Sequence, residues 1–96
     1  MVAAVTLADA SIDALDALCA LEQESFATPW SRTAVAQEFA TPHAHVVVAQ
    51  AAGRIVGYLC RWLVIDEVHI QRIAVHPQYR QQGIGRALMA LSLIHI

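Results

Sequence analysis

A short segment containing glycine and arginine, Arg80-Gln81-Gln82-Gly83-Ile84-Gly85-Arg86, holds the residues best suited to chemistry. The apolar spacing that follows it predicts an amphipathic helix from about Gly83. A helix start leaves several backbone N–H groups unpaired and carries about half a positive charge. Gly83 and Gly85 have no side chains to keep an anion away from those groups, and Arg80 and Arg86 flank them with guanidinium charge. The segment therefore predicts an anion site with a geometry that suits a diphosphate.

Two common phosphate-binding loops differ from this segment. The P-loop requires Gly-Lys-Ser/Thr, which is absent, and the dinucleotide fingerprint requires Gly or Ala where this chain has Leu88. A P-loop-like protein that binds ATP with Mg²⁺ stays an alternative, with the missing Lys-Ser/Thr against it. For the glycine pair taken alone, an ordinary loop-to-helix turn is the simpler interpretation.

Length, composition and charge limit the class of protein. The chain has 96 residues, of which 57% are hydrophobic and 15% are charged. This length allows at most one domain, and a charged fraction below the ~25% of average domains excludes a disordered acidic linker. The net charge of −2 argues against a general nucleic-acid binder. A small anion would find its partners in the second half, which holds Arg54, Arg61, Arg72, Arg80 and Arg86.

Cysteine usage and hydropathy indicate where the protein works. Cys19 and Cys60 are too few and too far apart for a disulfide scaffold, so we expect free thiols in a reducing cytosol. No window approaches the ~18 charge-free apolar residues of a membrane span, and the N-terminus lacks the basic start of a signal peptide. We therefore expect a soluble, cytoplasmic protein without membrane or direct nucleic-acid partners. His43 and His45 have no further ligand at metal-binding spacing, so no metal is predicted.

The elements that position the segment form the order β-α-α-β-β-β-α. Apolar spacing and turn residues predict strands at 2–7, 45–49, 55–65 and 68–75, and helices from Asp9 or Ser11, from Ser31 to Phe39, and from Gly83. The two middle strands form a hairpin across the turn at 51–54. The fold class is therefore mixed α/β (α+β) with a mainly antiparallel sheet.

The last strand carries an irregularity in its pattern. Val68 and Ile70 alternate, but the next apolar pair, Ile73 and Val75, is one residue out of phase. A β-bulge near residues 71–72 adds one residue and restores the facing, so we predict a bulge there.

Residues 73–89, which run from a strand through a Pro-containing turn into a helix, resemble motif A of the GCN5-related N-acetyltransferase (GNAT) family, Arg/Gln-x-x-Gly-x-Gly/Ala. Three further features resemble the RimI-type ribosomal-protein-alanine N-acetyltransferases of this family: Glu22-Gln23-Glu24-Ser25-Phe26, Pro29-Trp30-Ser31 and Asp66-Glu67. The resemblance covers residues 5–90. It implies the GNAT acyl-CoA N-acyltransferase fold, acetyl-CoA as co-substrate, and a ribosomal-protein N-terminal peptide as substrate.

The resemblance also implies roles for particular residues. The backbone of Ile73, Ala74 and Val75 would pair with the pantetheine arm and hold the acetyl carbonyl, and the amides from Gln81 to Arg86 would hold the diphosphate. The amine attacks the thioester directly in this family, so the protein supplies orientation, an oxyanion donor and a proton acceptor. The implied cofactor-binding residues are Ile73, Ala74, Val75, Arg80, Gln81, Gln82, Gly83, Ile84, Gly85 and Arg86.

The catalytic residues are not assigned. The resemblance implies a catalytic Glu on the strand after this helix. It also implies a Tyr that protonates the leaving thiolate on the next helix, and both residues would lie beyond residue 96. Within the chain, His69 could act as a base near neutral pH and Glu67 could bind the substrate's amino group. A plain strand histidine and an exposed strand-end charge are the simpler interpretations. Phe26 and Trp30 either line a peptide groove or pack two helices together.

The end of the chain carries a separate expectation. Residues 91–96 resemble a translated sequencing adapter, so we expect 1–90 to be a partial N-acetyltransferase domain and 91–96 a non-native tail. The leading hypothesis is an acetyl-CoA-dependent N-acetyltransferase of RimI type. The alternatives are a GNAT enzyme for another small amine and a catalytically incomplete fragment that binds coenzyme A. We expect the 96-residue chain itself to be inactive, because strand 68–75 would lack a neighbour.

Overall fold

The computed structural model describes residues 4–94, which form one sheet and three helices. The strands are β1 (Thr6–Asp9), β2 (Ala44–Ala51), β3 (Arg54–Val64) and β4 (Glu67–Val75). The helices are α1 (Leu15–Ser25), α2 (Arg32–Ala40) and α3 (Ile84–Ile94), with 3-10 turns at Ile12–Ala14 and Pro77–Tyr79. This order confirms the predicted mixed α/β arrangement.

The sheet has the order β1-β2-β3-β4, and each pairing is antiparallel, as predicted. The β2–β3 hairpin turns at Ala52 and Gly53, whose φ angles are 52° and 77°. Tight hairpin turns need positive φ at both central residues, because this matches the twist of the flanking strands. β4 pairs with β3, and its other edge is open within residues 4–94.

Each face of the sheet has its own apolar core. α1 and α2 cover one face, where the buried residues are Leu18, Leu21, Val35, Val46, Val48, Tyr58, Cys60 and Ala74. α3 covers the other face, where the buried residues are Val47, Ala49, Ala51, Val56, Leu59, Ile84 and Leu88. Alternate residues of β2 and β3 face the two layers, which explains why both strands are almost continuously apolar.

The predicted β-bulge lies at Gln71. The β3–β4 register runs from Arg61 opposite Ile70 to Cys60 opposite Arg72, so Gln71 is the extra residue. The bulge allows Ile70 and Ile73 to pack on the same side as α3, although they are three residues apart. It also turns Arg72 toward α1.

The chain start differs from its prediction. Residues 2 and 3 of the predicted strand lie outside the described residues. β1 begins at Thr6 and ends at Asp9, whereas the predicted strand ended at residue 7. Pairing with β2 extends through Asp9, which is therefore a strand residue and not a helix cap. A 3-10 turn follows, and α1 begins at Leu15.

The second helix has its predicted cap. The Ser31 hydroxyl accepts a hydrogen bond from the Ala34 N–H at 3.1 Å. This pairs one of the N–H groups that a helix start leaves free.

Of the helices within residues 4–94, none combines the length and the hydropathy required to cross a bilayer.

Candidate functional site

The loop before α3 and the first turn of this helix form a surface cavity. Two loop residues have left-handed backbone, Gln81 with φ 65° and Gly83 with φ 80°. The helical hydrogen bonds begin with Ala87 N–H donating to the Gly83 carbonyl at 2.9 Å, so the amides of residues 84–86 come before the first helical donor. The cavity is about 470 Å³ and is lined by Val75, Tyr79, Arg80, Gln81, Gly83, Ile84, Gly85 and Arg86.

Seven of the ten residues implied as cofactor-binding line this cavity. Ile73, Ala74 and Gln82 do not line it. Ala74 is buried against α1, and Ile73 packs on the face that α3 covers. Whether the backbone of these residues meets a ligand at the open edge of β4 stays a prediction.

The two glycines of the segment have different roles in the structure. Position 83 favours glycine because φ 80° is strained for a residue with a Cβ. Space is not the reason, since a Cβ there would meet no atom within 4 Å. A Cβ on Gly85 would meet side-chain atoms of Ile73 and Val75 at 3.9 Å, which is ordinary contact. Gly85 therefore relieves no clash within the folded chain, and a role toward a ligand stays a prediction.

Gly57 on β3 is a residue that the sequence analysis missed. A Cβ there would lie 3.1 Å from the Ala74 carbonyl oxygen, 3.3 Å from Ile84 and 3.5 Å from Leu88. Gly57 thus allows the first turns of α3 to approach the sheet. The position had no local signal, because its neighbours lie far along the chain.

Arg80 makes backbone contacts that the sequence could not show. Its Nε donates to the Val75 carbonyl at 3.0 Å, and one terminal nitrogen donates to the Ser25 carbonyl at 3.1 Å. Ser25 is the last residue of α1, and Val75 is the last residue of β4. Arg80 therefore ties the loop to both elements.

A buried ion pair lies on the opposite face of the sheet from α3. Glu22 of α1 is fully buried and forms a two-point contact with Arg72, at 2.6 Å and 2.9 Å. The same carboxylate accepts from the Trp30 N–H at 2.7 Å and from the Tyr58 hydroxyl. This network joins α1, the α1–α2 loop, β3 and β4.

The network sets the ionisation of its members. Burial alone would raise the pKa of Glu22, but the hydrogen bonds from Arg72, Tyr58 and the Trp30 amide outweigh it, so the pKa is lowered. The hydrogen bonds that Arg72 donates to the Glu22 carboxylate raise the pKa of Arg72. Burial, followed by the contact with Glu22, raises the pKa of Tyr58. Glu22 is therefore a charged carboxylate at neutral pH, and Tyr58 is a neutral donor.

Phe26 and Trp30 pack against Arg72. The guanidinium carbon of Arg72 lies 3.7 Å from the Phe26 ring centroid and 4.9 Å from that of Trp30, so both rings contact the cation. Both rings also pack on the core beneath α1 and α2. Of the two interpretations of these aromatic residues, the geometry favours packing.

Glu22 could have been found from the sequence. It lies four residues after Leu18 and three after Cys19, that is, on the apolar face of α1, where Leu18 and Leu21 are also buried. A carboxylate on a buried face requires a cationic partner. The sequence did not indicate that this partner is Arg72, because the two residues are 50 positions apart.

The two weaker catalytic candidates lie at the far end of β4. His69 Nε2 and Glu67 Oε1 are 4.0 Å apart, and both side chains are largely exposed. With a strand rise of about 3.3 Å per residue, His69 lies roughly 20 Å from Val75. The structure thus does not bring His69 and Glu67 to the cavity.

His76 and Tyr79 shape the turn that leads into the loop. His76 is buried, its Nδ1 accepts from the Gln78 N–H at 3.1 Å, and its Nε2 contacts the Glu24 carboxylate of α1. The Tyr79 ring meets the His76 ring edge-on at 5.9 Å between centroids. Tyr79 therefore packs the turn.

Comparisons with known proteins agree with this architecture. The sequence profile described as "Acetyltransferase (GNAT) family" matches residues 15–95. The chain therefore belongs to the GNAT acetyltransferase family, and its four-stranded antiparallel sheet with three helices is the GNAT fold.

The relatives include ribosomal-protein acetyltransferases. The chain is 33% identical over 69 residues to the [ribosomal protein bS18]-alanine N-acetyltransferase of Escherichia coli K12, covering 72% of this chain and 46% of that one. It is 42% identical over 67 residues to N-alpha-acetyltransferase RimI of Mycobacterium tuberculosis, covering 64% and 41%. The crystal structure of the E. coli ribosomal-protein-S18-alanine N-acetyltransferase superposes with a TM-score of 0.89 and 27% identity, covering 96% and 59%. The chain spans about half the length of the curated relatives it matches.

Proposed function

We propose that this chain is the acetyl-CoA-binding part of a RimI-type N-acetyltransferase that acetylates the N-terminal amine of a ribosomal protein. The observation that carries the proposal is the cavity at the start of α3. There a loop with left-handed backbone at Gln81 and Gly83 leads into α3, and the amides at the helix start lie beside Arg86. Relatives named as ribosomal-protein alanine acetyltransferases supply the substrate class.

The cavity and the neighbouring edge of β4 suit two adjoining parts of coenzyme A. The amides of residues 84–86 and the positive end of α3 would hold the diphosphate, with Arg86 adding charge at the rim. The open edge of β4 at residues 73–75 would pair with the amides of the pantetheine arm. Acetyl-CoA supplies the acetyl group as a reactive thioester, and we propose that the amine attacks it directly.

The described residues provide binding more clearly than catalysis. His69 and Glu67 lie at the other end of β4, so we propose that the proton acceptor and the acid for the leaving thiolate are not among them. We therefore expect the 96-residue chain to bind acetyl-CoA without completing catalysis. We propose a cytoplasmic location and no membrane or nucleic-acid partner.

The proposal is tested by isothermal titration of the 96-residue chain with acetyl-CoA, with ATP–Mg²⁺ as the comparison ligand. Circular dichroism must first show that the chain is folded. Selective binding of acetyl-CoA supports the proposal. A folded chain that binds neither ligand contradicts it, and a chain that prefers ATP–Mg²⁺ supports the nucleotide-binding alternative.

A pair of matched variants locates the binding site. Arg86→Gln removes a charge at the cavity, and Arg54→Gln removes the same charge from the exposed β2–β3 turn. We expect Arg86→Gln to weaken acetyl-CoA binding roughly threefold to tenfold, because an exposed charge–phosphate contact contributes about 1 kcal/mol. Arg54→Gln should leave the affinity unchanged. Equal effects of the two variants would place the ligand elsewhere.

A further inference from the structure

Arg80 and Arg86 border the same cavity, but their guanidinium groups are used differently. Arg80 donates from Nε to the Val75 carbonyl at 3.0 Å and from a terminal nitrogen to the Ser25 carbonyl at 3.1 Å. Arg86 is exposed on the first turn of α3. The sequence treats the two residues as equivalent flanking charges, whereas the structure separates them.

We propose that Arg80 is a positioning residue, which holds the loop at residues 81–83 in place, and that it does not bind the phosphates. This proposal rests on the proposed function for its ligand. It assigns the phosphate-facing charge of the segment to Arg86.

The location of Ser25 explains why a cation is stable there. Ser25 is the last residue of α1, and the last carbonyls of a helix have no intrahelical donor and carry the negative end of the helix dipole. Arginine side chains satisfy such carbonyls. The charge of Arg80 is thus already matched by the carbonyl at the end of α1.

The shape of guanidinium adds a geometric constraint. Its donors form a rigid planar fork, so two carbonyls from separate elements fix the plane of the whole group. Val75 ends β4 and Ser25 ends α1, so the fork fixes the start of the loop relative to both. The adjacent contact between Glu24 and His76 ties the same two elements a second time.

The loop needs such an anchor. Gln81 has φ 65°, which is a strained conformation for a residue with a side chain, and Gly83 has φ 80°. A strained backbone persists only where its surroundings hold it. Arg80 immediately precedes the strained residue Gln81, so its two hydrogen bonds would keep the amides of residues 81–86 directed at the cavity.

The test compares Arg80→Lys, Arg80→Gln and Arg86→Gln in the 96-residue chain. Lysine keeps the charge and remains a good phosphate ligand, but it lacks the planar fork. If Arg80 positions the loop, Arg80→Lys and Arg80→Gln both speed hydrogen exchange at the Ala87 amide, which donates to the Gly83 carbonyl, about tenfold without ligand, because the two hydrogen bonds that hold the loop are lost. Arg86→Gln should leave that exchange unchanged.

Titration with acetyl-CoA at increasing salt gives the second measurement. Salt screens an exposed attraction between a charge and a phosphate, whereas affinity lost because the loop is misplaced does not depend on salt. We expect both Arg80 variants to bind about tenfold more weakly than the wild type, with an unchanged salt dependence. Arg86→Gln should reduce the salt dependence.

Two outcomes overturn the proposal. One is full retention of affinity by Arg80→Lys together with a reduced salt dependence in Arg80→Gln, which is the pattern of a phosphate ligand. The other is unchanged amide exchange in both Arg80 variants. If the wild type does not bind acetyl-CoA, the proposed function fails, while the exchange experiment on the ligand-free chain still decides whether Arg80 anchors the loop.

Discussion

Replacing Glu22 with glutamine removes the charge from the centre of the buried network and keeps nearly the same volume. Glu22 is fully buried and accepts hydrogen bonds from the Trp30 amide, the Tyr58 hydroxyl and two nitrogens of Arg72. A glutamine amide has a carbonyl on one side only, so its NH₂ group would face a donor. Arg72 would also lose its counter-charge.

The size of the loss follows from burial. Removing one partner of a buried ion pair costs about 3–5 kcal/mol, because a charge is left without compensation. The Arg72 side chain is 19% exposed and can gain some hydration, which places the expected loss near the lower end, about 3 kcal/mol. This is a large part of the roughly 5–15 kcal/mol that stabilises a typical domain.

The pH dependence has a definite sign. The pKa of Glu22 is lowered in the folded state, so its contribution is fully present above the unfolded pKa of about 4.3. The contribution decreases as the pH falls through the lower folded pKa. The difference in stability between wild type and Glu22→Gln should therefore be constant from pH 7 to about pH 5 and shrink below about pH 4.

The measurement is urea unfolding at several pH values, with Asp16→Asn as the matched control. The Arg32–Asp16 pair has the same 2.6 Å distance as Arg72–Glu22, but its side chains are 61% and 85% exposed. Asp16→Asn should change stability very little, because water screens such pairs. The reasoning is refuted if Glu22→Gln costs no more than Asp16→Asn at pH 7, or if its cost does not depend on pH below 5.

Three further predictions concern single positions. Gly57→Ala should lower the free energy of unfolding by about 1–3 kcal/mol in urea, because its Cβ would lie 3.1 Å from the Ala74 carbonyl oxygen; unchanged stability would show that α3 can shift away. Gly83→Ala should weaken acetyl-CoA binding in titrations, because alanine at φ 80° carries about 1–2 kcal/mol of backbone strain; equal affinity would contradict a need for this φ angle. In the folded chain Ellman's reagent should modify Cys19 quickly and Cys60 slowly, since Cys60 is fully buried and burial raises its pKa; equal rates would contradict this burial.

Features that depend on nearby residues were predictable. Ser31 caps α2, the β2–β3 turn lies at Ala52 and Gly53, and the out-of-phase apolar pair in β4 marks the bulge at Gln71. In each case, the deciding interaction lies within a few residues or one hairpin. The antiparallel pairing of β2 with β3 and of β3 with β4 follows from similarly short connections.

Features that depend on distant contacts were not predictable. Arg80 meets Ser25 across 55 positions, and Glu22 meets Arg72 across 50. Nothing adjacent in the chain indicates either partner. The motif places Arg80 among the implied cofactor-binding residues, and only the structure shows that its guanidinium donates to two backbone carbonyls.

Residue order alone was enough to identify the anion segment, the order of strands and helices, and the resemblance to the family. These rest on local backbone conformation, apolar periodicity and motif spacing, which are properties of contiguous stretches. The carbonyl contacts of Arg80, the burial of Glu22 and the need for Gly57 depend on how α1, α3 and the sheet pack. Packing joins residues that are remote in the chain, so the folded chain was needed to show which charged side chains already have partners.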